Sequence, residues 1–538
     1  MRRYIGIGFL LGAGCLGQDI ARMEQVVQSY VTDKKFMGSA LVARGDEVLF
    51  SKGYGSANLE WQIPNSPSTK FRLGSITKQF TAASILLLEE RGKLKVDDPV
   101  KKHMADAPAS WDKITIYHLL THSSGIPNFT SFPDYASKKV LPSPVAKTVE
   151  RFRDKPLDFE PGEKFQYSNS GYILLGYLIE KLSGQSYEKF VQENIFTLLG
   201  MKDSGYDSNS TVIARRAEGY SSSPSGPVNA AFIDMSIPHG AGALYSTVED
   251  LLKWEQGLFG GKLLSPASLQ KMTSPFKGDY ALGLIVTTAA GRKKLEHGGG
   301  IDGFNTHLVY FPETRVTVAV LANLNGSAPQ EIAGKLSALA HGDKIVLISE
   351  RKAIAMSPQI LSKYVGTYEL SPKSNMMIRL AGDQLTSQVS GQSRIPIFAE
   401  SENTFFPKVV DAEIEFSKDA NGAVTHLVLR QGGRDTKALR ISDTVLERKE
   451  VRVSTEMLAS YVGTYELRPG FSLAITLEGD QLMSQATGQG KIPLFAESET
   501  RFFPKVIDAQ IEFFKNEQGA VTHIILNQGP ASIKGIRQ

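Results

Sequence analysis

Phe71-Arg-Leu-Gly-Ser75-Ile-Thr-Lys78-Gln-Phe-Thr-Ala-Ala-Ser-Ile-Leu-Leu-Leu88 opens with a serine and a lysine three positions apart and runs on as an apolar segment. Positions i and i+3 share one face of a helix, so the Lys78 side chain can reach the Ser75 hydroxyl. The residues after Lys78 are apolar around nearly the whole helix, the pattern of a helix buried on all sides. A polar pair leading such a helix is costly to bury without a use for it. The Ser-x-x-Lys spacing occurs six times, at Ser75, Ser110, Ser186, Ser268, Ser274 and Ser349. The other five lack a long apolar helix after them and read as surface serines. Gly74 allows a tight entry to the helix, and the first-turn amides favour negative charge on the Ser75 oxygen.

Outward from this segment, the length of 538 residues exceeds what one core holds and points to about three domains. The net charge of +4 is small for this size and no dense Lys/Arg block occurs, so nucleic acid is excluded as an expected partner. Arg2 and Arg3 precede an apolar run from Ile5 to Leu16, which predicts an export leader over residues 1–17 and a periplasmic or secreted protein. That run is too short to span a bilayer, and no later segment is long and apolar enough. Cys15 is the single cysteine, so no intrachain disulfide can form. Gly12 stands where a lipoprotein cleavage box has a bulky apolar residue, so soluble export is preferred to a lipid anchor on Cys15.

The C-terminal third is duplicated. Tyr364-Val-Gly-Thr-Tyr-Glu-Leu370 recurs as Tyr461-Val-Gly-Thr-Tyr-Glu-Leu467, and Phe405-Phe-Pro407 as Phe502-Phe-Pro504, without a gap between the two matches. Each copy is a series of short alternating stretches broken by Gly, Asp and Asn, which predicts antiparallel strands. About ninety residues of such structure suit a small closed barrel. Two barrels are expected, over 358–446 and 455–538. Ahead of them, residues 20–345 mix both periodicities. Ser39 to Tyr54 reads as a hairpin turning at Arg44-Gly-Asp46, Ile173 to Leu182 as a helix stopped at Ser183-Gly184, and Val316 to Ala322 as a buried strand. Strands at both ends with helices between predict an α/β (α+β) unit, an antiparallel sheet covered by helices.

Two further clusters follow Ser75 in order. Tyr167-Ser-Asn169 is the single Tyr-x-Asn of the chain, a phenol and a carboxamide that can point into one pocket. A tyrosine near a cation can accept a proton, because the opposite charge favours the phenolate. His297-Gly298-Gly299-Gly300 is a strand segment without side chains after the histidine, against which a substrate backbone could lie. A His-Gly-Gly-Gly run also occurs in α/β-hydrolase lipases, but no Gly-x-Ser-x-Gly elbow exists here. His118 and His122, four residues apart, resemble half a zinc site. His118 is followed by Leu119 rather than a glutamate and no third ligand is evident, so the structural reading is preferred and no metal or cofactor is expected.

Ser75-x-x-Lys78, Tyr167-x-Asn169 and His297-Gly298-Gly299, in that order, resemble the three signature elements of the serine β-lactamase and penicillin-binding protein family. That family includes class C β-lactamases, D-alanyl-D-alanine carboxypeptidases, D-aminopeptidases and certain esterases. Leu119-Leu-Thr-His-Ser-Ser-Gly-Ile-Pro127, Pro161-Gly-Glu-Lys-Phe165 and the run Gly240 to Leu251 are also similar to it, and the resemblance covers about residues 25 to 330. The tandem tail is similar to the lipocalin-like domains that follow this unit in D-aminopeptidase-type members. The resemblance implies a β-lactamase/transpeptidase-like fold in which Ser75 attacks a carbonyl and forms an acyl-enzyme. Lys78 and Tyr167 share the base and acid work, with the first proton acceptor open between them. It further implies that Asn169 orients Lys78 and the substrate amide, and that the Ser75 and Gly300 amides form an oxyanion hole.

One departure matters. Most β-lactamases and carboxypeptidases begin the third element with lysine, a permanent cation that helps hold the substrate carboxylate. His297, with an ordinary pKa near 6.5, is mostly neutral at pH 7. The expected substrate is therefore a small molecule or peptide cleaved at an amide, D-amino-acid-type peptide or ester bond. A β-lactamase or D-alanyl-D-alanine carboxypeptidase is the alternative, and a non-catalytic penicillin-recognising or ligand-binding protein the second. Oligomeric state is open.

Overall fold

The computed structural model describes residues 11–223, 225–372, 374–431, 434–445, 448–468, 470–529 and 531–538. Most of the leader expected over 1–17 lies outside the described residues, as does the Cys15 side chain. The chain divides into two compact units between Ile345 and Val346. No helix among the described residues is long and apolar enough to cross a membrane.

The first unit is built on a six-stranded antiparallel sheet. Its strands are β1 (Gly38–Arg44), β2 (Glu47–Tyr54), β3 (Ile285–Ala289), β4 (Arg292–Ile301), β5 (Phe304–Phe311) and β6 (Val316–Ala322), in the order β3-β4-β5-β6-β1-β2. The expected hairpin joins β1 to β2, with Arg44 opposite Glu47 and Gly45 at φ +59°. β6 is the strand foreseen at Val316 to Ala322 and is buried at every position, between β5 and β1. Among the helices are α1 (Leu11–Thr32), α2 (Thr77–Glu90), α3 (Asn169–Ser183), α4 (Val248–Phe259) and α5 (Ala328–Ala340). α2 is buried from Thr77 through Leu88, as its apolar circumference requires. The Phe80 ring stacks on Trp254 of α4 at 4.0 Å, and the indole nitrogen of Trp254 donates to Gln79 Oε1. α3 ends at Gly184 in the left-handed conformation, the stop signal read from Ser183-Gly184.

The second unit holds two closed eight-stranded antiparallel barrels, one from Gly366–Ser371 to Arg434–Ser442 and one from Gly463–Arg468 to Ala531–Arg537. The repeat explains their likeness atom for atom. Tyr368 donates to the Tyr364 carbonyl and Tyr465 to the Tyr461 carbonyl, each at 2.8 Å. The buried rings of Tyr364, Phe405 and Phe416 pack together in the first barrel, as Tyr461, Phe502 and Phe513 do in the second. Both interiors are filled by their own side chains, as expected of barrels this small.

Glu255 on α4 is buried and its Oε2 has no hydrogen-bond partner. Burial pushes its carboxyl up to about 8, from an ordinary value of 4.5. The folded chain thus keeps a proton that the unfolded chain releases. Its contribution is fully present below pH 4.5, shrinks as pH rises, and is lost above about 8. Glu255→Met, which keeps the length and removes the charge, should melt several degrees above wild type at pH 9 and lose that advantage at pH 4, by calorimetry at both pH values.

Candidate functional site

Ser75 lies in a single 3₁₀ turn, Gly74–Ile76, that feeds directly into α2, with Lys78 in the first α-helical turn. Gly74 is needed for two reasons. It sits at φ +54°, and a Cβ on it would fall 2.8 Å from the Gly300 amide nitrogen. Gly299 faces the same segment: a Cβ there would meet the Leu73 carbonyl oxygen at 1.9 Å, while Thr306 Oγ1 donates to that oxygen. The glycines after His297 therefore let β4 close against the backbone leading into Ser75. β3 begins opposite Glu296, so His297 to Ile301 form a half-strand with no β3 residue beside it, and its free edge meets the Ser75 turn.

Lys78 is fully buried. Its Nζ lies 2.9 Å from Ser75 Oγ, 2.9 Å from Asn169 Oδ1 and 2.8 Å from the Ala241 carbonyl oxygen. No carboxylate pairs with it among the described residues, and burial holds its amine well below the usual lysine range. Asn169 is the first residue of α3, and its amide nitrogen donates to Thr130 Oγ1. Tyr167 precedes that helix on an extended segment. Its phenol neighbours the Ser75 side chain, and its ring centroid lies 4.8 Å from Lys78 Nζ. Burial raises the phenol above its ordinary value, so the phenolate read from the neighbouring cation is not the favoured form.

A cavity of about 410 Å³ opens over this group. Ser75, Asn169 and Gly300 are among its walls, together with Phe129, Ile233 and Ile301. Lys139 and Asp302 supply its charged wall, paired at 2.6 Å. His297, Gly298 and Gly299, read from sequence as substrate-facing, are not among the described lining residues. The His297 ring is buried; Nδ1 donates to the Gly298 carbonyl at 2.6 Å and Nε2 accepts from the Tyr280 hydroxyl at 3.0 Å. Burial, with Lys78 close by, takes its pKa down to about 3. His297 is a neutral, internally satisfied side chain.

His118 and His122 do not converge. His118 caps its own short helix with Thr115, whereas the His122 ring packs on Tyr167 at 4.2 Å. His122 and Tyr280 are site residues the motifs missed, as are Lys139 and Asp302 of the cavity wall. His122 lies inside the Leu119–Pro127 run, so a signal existed, but its partner Ser168 is set by folding; Tyr280 carries no sequence signal.

Comparison with known proteins gives concordant matches. Residues 23–342 match the Beta-lactamase family model, and residues 350–442 and 447–534 each match a domain of unknown function, DUF3471. Penicillin-binding protein 4* of Bacillus subtilis (strain 168) is 28% identical over 436 residues, 76% of this chain and 95% of that protein. Among solved structures, the octameric penicillin-binding protein homologue from Pyrococcus abyssi matches with a TM-score of 0.57 and 29% identity, over 79% of this chain and 99% of its own. A D-stereospecific amidohydrolase from Streptomyces sp. matches with a TM-score of 0.52 and 25% identity, over 60% of this chain and 99% of its own.

Proposed function

Because this chain belongs to the beta-lactamase family and is a serine hydrolase, we propose that it cleaves amide, D-amino-acid-type peptide or ester bonds through an acyl-enzyme on Ser75. The observation that carries this reading is the environment of Lys78. Its two carbonyl neighbours, Asn169 Oδ1 and Ala241 O, can only accept hydrogen bonds. A neutral amine spends its two N–H bonds on them, leaving its lone pair directed at the Ser75 hydroxyl. Burial without a carboxylate partner lowers the pKa of the amine, which favours that neutral form.

Lys78 takes the Ser75 proton as Oγ bonds to the substrate carbonyl carbon. The Ser75 and Gly300 amides, brought together by Gly74, hold the oxyanion. Collapse breaks the bond to the leaving amine or alcohol. That group takes its proton from the Tyr167 phenol, which is refilled from Lys78; the raised phenol suits a donor. Water then attacks the ester, the same pair moves the proton the other way, and Ser75 is restored.

The substrate class rests on His297. Neutral and buried, it offers no permanent cation for a substrate carboxylate, which supports amide and ester substrates over dedicated β-lactam or D-alanyl-D-alanine hydrolysis. The amidohydrolase likeness supports the D-amino-acid branch. The two-arginine start and apolar run support export. A panel of D- and L-aminoacyl p-nitroanilides, short-chain p-nitrophenyl esters, nitrocefin and a D-alanyl-D-alanine peptide tests this. Turnover of the anilides or esters above the other two is expected; preference for nitrocefin or the dipeptide end would refute the assignment.

A further inference from the structure

We propose that His122 is the positioning residue of Tyr167: its ring nitrogen and its carbonyl oxygen bracket the tyrosine and fix where the phenol points. The inference rests on the reading of Tyr167 as the proton partner of Ser75. His122 Nδ1 accepts the Ser168 amide at 3.2 Å, and the His122 carbonyl accepts the Gln166 amide at 2.9 Å. The residues on both sides of Tyr167 are thus tied to His122, and the imidazole lies against the phenol ring with 4.2 Å between centroids. The same ring also packs on Tyr172 at 5.0 Å and Tyr280 at 4.6 Å, so it cannot tilt without moving the aromatic group behind Lys78.

Two oddities point to a role beyond packing. His122 has φ +55°, a left-handed backbone where glycine or asparagine is the easier residue. Its accepting Nδ1 puts the ring proton on Nε2, a buried atom with no hydrogen-bond partner. Strain and an unsatisfied N–H persist where the backbone alone would prefer neither. Histidine offers an acceptor and a flat ring at the same place. Burial keeps the imidazole neutral, so Nδ1 stays an acceptor.

The test is a double-mutant cycle in the full chain, read as kcat and KM on whichever ester or anilide is turned over, with melting temperature as the fold control. Asparagine tolerates positive φ and places an oxygen near the Nδ1 position, so His122→Asn should keep kcat within about threefold. Glycine also tolerates that φ but removes ring and acceptor, so His122→Gly should lower kcat about tenfold to a hundredfold with KM unchanged. In a Tyr167→Phe background the same change should cost less than about twofold, because nothing remains to be positioned. Equal losses in both backgrounds, a rise in KM at constant kcat, or asparagine as damaging as glycine would overturn the proposal while leaving Tyr167 in its role. Wild-type kcat in Tyr167→Phe alone would instead overturn the reading of Tyr167, and the proposal with it. If His122→Gly gives no cooperative melt, His122→Gln takes its place in the cycle, since its amide reaches the Nε2 position and misses Ser168.

Discussion

Ser75→Ala is expected to lose at least about a thousandfold in kcat/KM on every substrate the wild type turns over, while folding normally. The size follows from what alanine leaves behind. The cavity, the Gly300 amide and the Lys78–Asn169–Ala241 network persist, so binding and oxyanion contacts can still polarise a carbonyl. The atom that forms the covalent bond is gone, and Lys78 keeps both carbonyl partners, so its burial stays satisfied. Ser110→Ala is the matched control: the same Ser-x-x-Lys spacing, an exposed position, and no expected change in rate.

Lys78→Arg should be nearly as damaging, with a loss of about a hundredfold or more in kcat at neutral pH. Arginine is a permanent cation with donors for the same carbonyls, so a residue needed only as a cation would tolerate the exchange. A guanidinium has no lone pair to give and is not deprotonated in proteins, so it cannot take the Ser75 proton. The wild-type amine can, because burial lowers its pKa well below the ordinary lysine value. The sign for pH follows: activity rises with pH as the amine loses its proton, and this rise lies below the range of a solvent-exposed lysine. Lys78→Arg should lack that ascending limb. A stopped assay across pH for both proteins, with melting curves alongside, reads the effect.

Much of the fold was legible in local patterns. The all-round apolar run after Lys78 became a helix buried at every position to Leu88, and the 97-residue repeat became two barrels with matching Tyr-to-carbonyl bonds. These survive because periodicity and repetition report burial directly. The candidate site was legible in residue type and less so in orientation. Ser75, Lys78 and Asn169 meet within 2.9 Å because a helical turn and a helix start fix their directions. His297 was read toward the substrate, yet which face of β4 looks into the cavity is decided by its pairing with β5 and by Tyr280 from a loop, neither of which leaves a mark at His297. The glycine run was read as room for a substrate; Gly299 instead makes room for the Leu73 carbonyl. His122 was weighed as a metal ligand on helical spacing, but the helix ends at Leu120 and the backbone at His122 turns left-handed, which carries the ring away from His118.

Covalent labelling measures the central claim most directly. The full chain is mixed with p-nitrophenyl acetate, quenched in acid within the burst phase, and digested with trypsin, which releases Leu73 to Lys78 as one peptide. An acetyl group on Ser75 in wild type, absent from the same peptide in Ser75→Ala, is the expected result. Turnover with that peptide unmodified, or with the acetyl group on another residue in both proteins, would contradict an acyl-enzyme on Ser75.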